Sequence, residues 1–580
     1  MLSETAEARL LEHLTVLYGP EAAPDLLAEL RDVVARALPT RRPPRERFAE
    51  TDVFVIAYGD HVTEPGRVPL QTLGELLTEV APEVTGLHLL PHYPATSDGG
   101  FAVADHLAVD PALGTWADVE ALGRRFRLML DAVLNHTSAS HPWFRGFLDG
   151  DPQYADFYVI ADPEADAAAL ARVTRPRTTP LLTRFTGAAG ERWVWTTFSA
   201  DQVDLDFRTP AVLVAATEVL LRYIAHGATW IRLDAIAFLW KTLGTTCMHL
   251  PQTHEVVRLW RTLVDDVAPG TVLLTETNVP HEENISYLAE GQEAHAVYQF
   301  ALPPLTLAAF HRRDASVLTG WLRDLARPPE GTTFFTFLAS HDGIGLRPLE
   351  GLVAPEEVAR LAETVADHGG LVSWRTTPDG GRAPYEINSV YYDALRPPGT
   401  QEDEQVDVAR FLAAHAILLA LPGVPALYLH SLLGSRSWHE GVERSGHARD
   451  INRERLDLHR LTWELADAGG RRARVLEGLR EMIAVRVAET AFHPDAPMTV
   501  LDVPAGQLAV LRSPREGTGG TVLCVQDVAG AGGTVRAAVP LPDGTRLHDL
   551  LGAGGRGAVV RDGAVELSLA PYGVRWLRVE

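Results

Sequence analysis

Three carboxylates stand at the ends of short apolar runs: Asp234 after Trp230-Ile231-Arg232-Leu233, Glu276 after Leu273-Leu274-Thr275, and Asp342 after Ala339-Ser340-His341. A buried parallel strand delivers an acid to the open end of a barrel in this way. Glycoside chemistry needs two such acids, one to attack or stabilise the anomeric carbon and one to protonate the departing oxygen. An acid after a strand also serves as a helix N-cap, so no single one carries the assignment; three in succession do. Arg232 lies two residues before Asp234 on the same strand face, where its charge favours an ionised Asp234. Glu276 is flanked by Thr275, Thr277 and Asn278, without a cation, which suits the raised pKa of a general acid.

The elements that must hold these acids show as an alternation. β-rich apolar runs at 53–57, 86–90, 128–134, 229–233, 272–275, 296–300, 334–338 and 424–429 are separated by amphipathic stretches. Eight strands with helical connections make an α/β chain with a (β/α)8 TIM barrel. Leu10, Leu14 and Leu17, then Leu26, Leu30, Val33 and Ala37, recur at helical spacing and predict an N-terminal helical extension. The arginine and proline cluster at 40–47 reads as a linker or strap with solvated charges. Residues 137–200 are rich in loops, with Arg172, Arg175, Arg177 and Arg184 among prolines and threonines, and read as an inserted domain B over the barrel mouth. A second insertion spans 351–399. Short β-type runs between Gly-rich turns, such as Ala509-Val510-Leu511 and Val574-Arg575-Trp576-Leu577, predict a C-terminal antiparallel β-domain. The expected division is extension 1–48, barrel 49–136 and 201–490, domain B 137–200, and β-domain 491–580.

Of 580 residues, 46% are hydrophobic and 22% charged, the composition of a soluble globular protein. The net charge of -24 argues against nucleic acid or anionic membrane as partner, because both select basic surfaces. Lys241 is the only lysine. Cys247 and Cys524 lie far apart, so neither a disulfide framework nor a zinc site is indicated, and a reducing cytoplasm is the expected compartment. The first residues lack the basic start and apolar segment of a signal peptide. Residues 411–433 are apolar but interrupted by Pro422, Gly423 and Pro425, and read as a helix running into a barrel strand. His249 and His254 lie near Cys247, yet no carboxylate or second cysteine completes a ligand set. Neither a metal nor a cofactor is expected.

Four motifs stand in chain order: Asp131-Ala132-Val133-Leu134-Asn135-His136, Ile231-Arg232-Leu233-Asp234-Ala235, Glu276, and Ser340-His341-Asp342. Together they resemble the α-amylase superfamily of glycoside hydrolases across nearly the whole chain. The resemblance implies Asp234 as the nucleophile that forms a covalent glucosyl-enzyme, Glu276 as general acid and base, and Asp342 as transition-state stabiliser. A narrower resemblance is to the sucrose-phosphorylase group. It rests on Asp98-Gly99-Gly100-Phe101, Arg175-Pro176-Arg177, His341-Asp342-Gly343-Ile344-Gly345, Tyr385-Glu386-Ile387-Asn388 and Arg449-Asp450-Ile451-Asn452-Arg453. It implies a one-glucose pocket closed at its far end, with Asp98 and Arg449 on the 4-hydroxyl and His136 on the 6-hydroxyl. Phe101, Arg232 and His341 complete that glucose subsite. Arg177 and Tyr385 match positions that help hold inorganic phosphate, a role suited to a guanidinium fork; a solvated loop arginine is the alternative for Arg177. Asn278 and Glu386 fall on the phosphate and acceptor side.

Residues 277–284, and Glu386 where sucrose phosphorylases carry glutamine, put fructose in doubt as the leaving group. The N-terminal extension with residues 239–254, 277–284 and 431–436 resembles the glucosylglycerate phosphorylase branch. That implies a glycosyltransferase-type phosphorylase performing reversible, retaining phosphorolysis of 2-O-α-D-glucosylglycerate to α-D-glucose 1-phosphate and D-glycerate. Sucrose or glucosylglycerol phosphorylase, an α-glucosidase or transglucosidase, and an inactive sugar-binding relative are the alternatives. The partners implied are an α-glucoside, inorganic phosphate and glucose 1-phosphate, with a homodimer left open. A glycerate carboxylate bound to so acidic a chain must meet local positive charge. Arg436, in Gly434-Ser435-Arg436-Ser437, is the first candidate, ahead of His281 and Arg347; its alternative is a surface pair with Glu440 or Glu443.

Overall fold

The computed structural model describes residues 2–188, 190–376, 381–396, 403–516, 520–552 and 557–580. Eight parallel strands, β1 (Phe54–Ala57), β2 (Gly86–Leu89), β3 (Arg127–Ala132), β4 (Ala228–Leu233), β5 (Val272–Thr275), β6 (Ala296–Tyr298), β7 (Thr333–Phe337) and β8 (Val424–Tyr428), close into a barrel with β8 beside β1. The expected TIM barrel is therefore the fold. β4 shows why the sequence builds it. Side chains alternate across a strand, so Trp230, Arg232 and then Asp234 rise along the inner face. The Trp230 ring fills the lower interior, 5.1 Å from Phe54 and 5.7 Å from Phe335. Arg232 lies one layer above, with Asp131 of β3 and Leu274 of β5 as its register partners. A one-residue slip would turn the guanidinium out among the apolar helix faces, so the register is strongly specified.

The two N-terminal helices, α1 (Glu4–Tyr18) and α2 (Ala23–Ala37), pack on the outside of the barrel against helices Pro251–Val267 and Pro210–Ala225. Ser3 caps α1, its hydroxyl accepting from Ala6 N–H at 3.2 Å. Leu10, Leu14, Leu26, Leu30 and Val33 join the barrel's own core. The strap that follows differs from the solvated linker expected. Arg41 pairs with Asp266 at 2.7 Å, Arg47 pairs with Asp265, and Arg42 donates to the Ile224 carbonyl at 2.5 Å. The barrel's underside offers those carboxylates and carbonyls only once the chain has folded.

Between β3 and β4 the inserted segment contains a hairpin, Leu182–Gly187 with Gly190–Trp195, and a short ladder joining His136–Ser138 to Gln202–Asp204. After β7, helix Pro355–Asp367 leads into strands Leu371–Thr376 and Arg382–Asn388, which form a sheet with Ile344–Gly345. Positions 377–380 and 397–399 of this expected insertion lie outside the described residues. Helix Glu404–Ala420 runs into β8, and no helix of the described chain is long and apolar enough to cross a membrane. The C-terminal region is an antiparallel sheet built around strands Gln507–Arg512, Val522–Asp527 and Val574–Val579. Both cysteines are buried free thiols.

Candidate active site

The three acids meet at the C-terminal rim of the barrel around one buried cation. Arg232 Nη1 donates to Asp131 at 2.5 Å and to Asp234 at 2.7 Å, while its Nη2 lies 3.8 Å from Glu276. Asp131 is also 2.7 Å from His88 Nε2. After Asp234 the chain turns through Ala235 at φ 49°, and the Ala235 N–H donates to Glu276 Oε2 at 2.9 Å. Burial dominates the ionisation of both acids. It pushes Asp234 up to about 6, with Arg232 opposing and Asp131 and Asp342 reinforcing. It pushes Glu276 up to about 7, with Arg232 again opposing and Asp234 and Asp342 reinforcing. Arg232 acts on Asp234 in the direction expected, toward the ionised form, though burial is the larger effect; one expectation is corrected, since Glu276 does have a cation nearby in Arg232.

Asp342 behaves oppositely. Burial pushes it up, but Arg449, His341, Arg232 and Arg453 together hold it below the usual carboxylate range. Arg449 contacts Asp342 through Nη1 and grips Glu386 with Nη2 and Nε at 2.7 and 3.1 Å. Asn452 donates to the Ser340 and Asp342 carbonyls at 3.2 and 3.0 Å, and Arg453 to the His341 carbonyl at 2.9 Å. The segment from Arg449 to Arg453 thus clamps the loop that carries Asp342. His341 stacks on Phe101 with ring centroids 4.9 Å apart, and burial lowers its pKa to about 3. Both of its ring nitrogens are buried without a hydrogen-bond partner among the described residues, which leaves them open to a ligand hydroxyl.

Asp98 lines the cleft, and it and the two residues after it, Gly99 and Gly100, all lie in the left-handed region with φ of 53°, 59° and 100°. A Cβ on Gly99 would lie 2.6 Å from Arg453 Nη1 and 2.7 Å from Tyr58 Oη, so a side chain there would have to displace those groups as well as adopt a strained backbone angle. Gln202 Nε2 sits 3.0 Å from Asp98 and 3.2 Å from His136, joining the inserted domain to the wall. Arg177, Tyr385, Asn278 and Arg347 also line the cleft, with Phe198, Phe238 and Phe300.

The family described as "Alpha amylase, catalytic domain" matches residues 81–342. A glucosylglycerate phosphorylase of Allomeiothermus silvanus is 49% identical over 86% of this chain and 90% of its own length. One from Escherichia coli K12 is 43% identical over 89% of this chain and 91% of its own. The chain belongs to the glucosylglycerate phosphorylase family of the α-amylase superfamily. A crystal structure of sucrose 6F-phosphate phosphorylase from Thermoanaerobacter thermosaccharolyticum superimposes with a TM-score of 0.72 at 24% identity, covering 86% of this chain and 97% of that one, and shares the fold.

Thirteen of the site residues named from the sequence line this cleft: Asp98, Phe101, His136, Arg177, Arg232, Asp234, Glu276, Asn278, His341, Asp342, Tyr385, Glu386 and Arg449. Glu386 does so as the partner of Arg449 rather than as a free acceptor group. Arg436 does not. It pairs with Asp393 at 3.1 Å and lies over the Tyr392 ring at 5.4 Å, so its expected place at the leaving group is corrected. Its partner is neither Glu440 nor Glu443. His281 also lies off the cleft, its ring facing Trp321 and Phe334. His249 and His254 contact Tyr287 and Glu293 at 2.9 and 2.8 Å, and the described residues hold no cluster of three metal-type ligands.

Gln202 and Lys241 were not legible, since each acts through residues distant in sequence. Lys241 is 3% exposed and bridges Asp204 at 2.8 Å and Asn135 Oδ1 at 2.7 Å. Asn135 precedes His136, and Asp204 ends the ladder strand that carries Gln202. Lys241→Met should leave the buried Asp204 carboxylate without its counter-ion, held by hydrogen bonds from Asn135 and Thr197, and destabilise the fold by about 3–5 kcal/mol. Chemical denaturation would read this loss, and a change under about 1 kcal/mol would show that the pair carries little net stability.

Proposed function

We propose that the protein is a retaining phosphorylase that moves glucose from 2-O-α-D-glucosylglycerate to inorganic phosphate, releasing D-glycerate and α-D-glucose 1-phosphate. The observation that carries this reading is a cleft with three acids around Arg232, lined also by Asp98, Arg449, Arg177 and Tyr385. The glucosylglycerate phosphorylase of Allomeiothermus silvanus, 49% identical, carries the same activity in its name. In the first step an Asp234 oxygen attacks the anomeric carbon, the glycosidic bond breaks, and Glu276 passes its proton to the glycerate oxygen. In the second, a phosphate oxygen attacks the same carbon, the Asp234 ester breaks, and Glu276 takes the phosphate's proton. Two inversions give net retention. Asp342, held ionised by Arg449, stabilises the oxocarbenium-like charge between them. Asp98, His136 and His341 hold the glucose hydroxyls. The two free thiols fit a cytoplasmic enzyme acting on charged metabolites.

Glucose 1-phosphate release from glucosylglycerate, with and without phosphate, tests the reading. Phosphate-dependent release supports it; free glucose at an unchanged rate without phosphate would replace it with a hydrolase.

The pH profile follows from the two raised acids. Glu276 must be protonated and Asp234 ionised, so kcat/KM should fall as pH rises through about 7 and again as it drops below about 6. An activated aryl glucoside, which departs without a proton, should lose the alkaline limb. Persistence of that limb would remove Glu276 from the acid's role.

Arg177→Ala should raise the phosphate concentration needed for half-maximal rate by about 10- to 100-fold, the equivalent of losing a charge-assisted contact. It should also divert more glucosyl-enzyme to water. An unchanged phosphate requirement would return Arg177 to the solvated loop.

A further inference from the structure

Four guanidinium groups line the cleft, and two are already committed. Arg232 divides its charge among Asp131, Asp234 and Glu276, and Arg449 between Asp342 and Glu386. Arg177 belongs to the inserted segment and lies close enough to Tyr385 to bias its ionisation. Arg347 remains. It begins the helical turn Arg347–Leu349, one residue beyond the strand Ile344–Gly345 that follows Asp342. That strand presses against Asn278, since a Cβ on Gly345 would lie 2.4 Å from Asn278 Nδ2. Arg347 therefore stands on the side of the cleft where the chain leaves Glu276.

Its charge is poorly answered. Among the described residues its nearest carboxylate is Glu350, 3.7 Å from Nε, and the same Glu350 oxygen is held by Arg375 at 2.7 Å. The Arg347 side chain is only 19% exposed, and its Nε is buried without a hydrogen bond among those residues. A largely desolvated guanidinium with loose pairing gains from an anion more than a solvated one does. The neighbouring Asn278 Oδ1 is likewise buried and unpartnered, an acceptor suited to a hydroxyl. We infer that Arg347 reads the carboxylate of the leaving group, and that the acceptors of the reverse reaction are α-hydroxycarboxylates as a class.

This inference rests on the phosphorylase reading and specifies its acceptor side. In the reverse direction the α-hydroxyl oxygen attacks the anomeric carbon, its proton passes to the Glu276 carboxylate, and the Asp234 ester bond breaks to restore the free acid. An α-hydroxyl places the carboxylate one carbon from the attacking oxygen. An arginine on the Glu276 side can then hold it through two parallel hydrogen bonds. Glycerate's remaining hydroxyl falls to Asn278. Glycolate and D-lactate, which lack it, keep the two groups that Arg347 and Glu276 recognise.

The test measures kcat/KM from glucose 1-phosphate with D-glycerate, glycolate, D-lactate and glycerol, for the wild type, Arg347→Ala, Arg347→Lys and Arg436→Ala. Slow hydrolysis of glucose 1-phosphate serves as the check that the donor half is intact. The wild type should glucosylate all three acids. Arg347→Ala should lose about 100-fold on each acid, as expected for a charge-assisted contact, while glycerol changes by less than about 3-fold. Arg347→Lys should recover part of the loss, and Arg436→Ala should match the wild type. Equal losses on glycerol and the acids, or no loss on the acids, would overturn the role of Arg347. Use of glycerate without glycolate or lactate would overturn the class. A wild type that transfers glucose to no hydroxy acid would overturn the function proposed above together with this inference.

Discussion

Replacing Asp234 with asparagine is expected to lower kcat on any glucoside by at least about 10⁴-fold, as removal of a covalent nucleophile does. An amide of nearly the same shape cannot form the glycosyl ester. The protein should remain folded, because Arg232 keeps Asp131 at 2.5 Å and the barrel interior below it is unchanged. Intact-mass analysis after mixing with an activated glucosyl donor should show a glucosyl adduct on the wild type and none on the variant. A variant within about tenfold of wild type would mean that another group attacks the sugar.

Asp342→Asn is expected to cost about 10³-fold in kcat/KM, close to 4 kcal/mol of transition-state stabilisation. Of the three acids, Asp342 is the one whose pKa its surroundings lower, so its negative charge is present throughout the working range. The substitution removes that charge and leaves Arg449 paired with Glu386 alone. Glucose binding in the absence of reaction should weaken far less, since the ground-state sugar carries no positive charge. Isothermal titration with glucose separates the two effects. Losses of equal size in binding and in kcat/KM would make Asp342 a ground-state contact only.

Both predictions depend on features that differ in how far they could be read in advance. On β4 the local rules suffice, because the period of two places Trp230, Arg232 and Asp234 on one face whatever the rest of the chain does. Glycines at 99 and 100 permit the backbone that Asp98 needs, and the apolar runs that end in acids specify a barrel rim. Eight strands, their order and the family motifs therefore follow from neighbours in sequence. Only the tertiary structure decides how each group is charged and paired. The raised pKa of Glu276 comes from burial, with Asp234 and Asp342 acting across the rim, although the sequence around it shows only threonines and asparagine. Lys241 meets Asn135 more than a hundred positions away, and Arg436 turns to Asp393 instead of the cleft. Arg347 is one arginine among many until the fold brings it to the same cleft as Asn278 with its Nε buried. Desolvation and ion pairing sum contributions from every element packed around a group, and no stretch of sequence contains that sum.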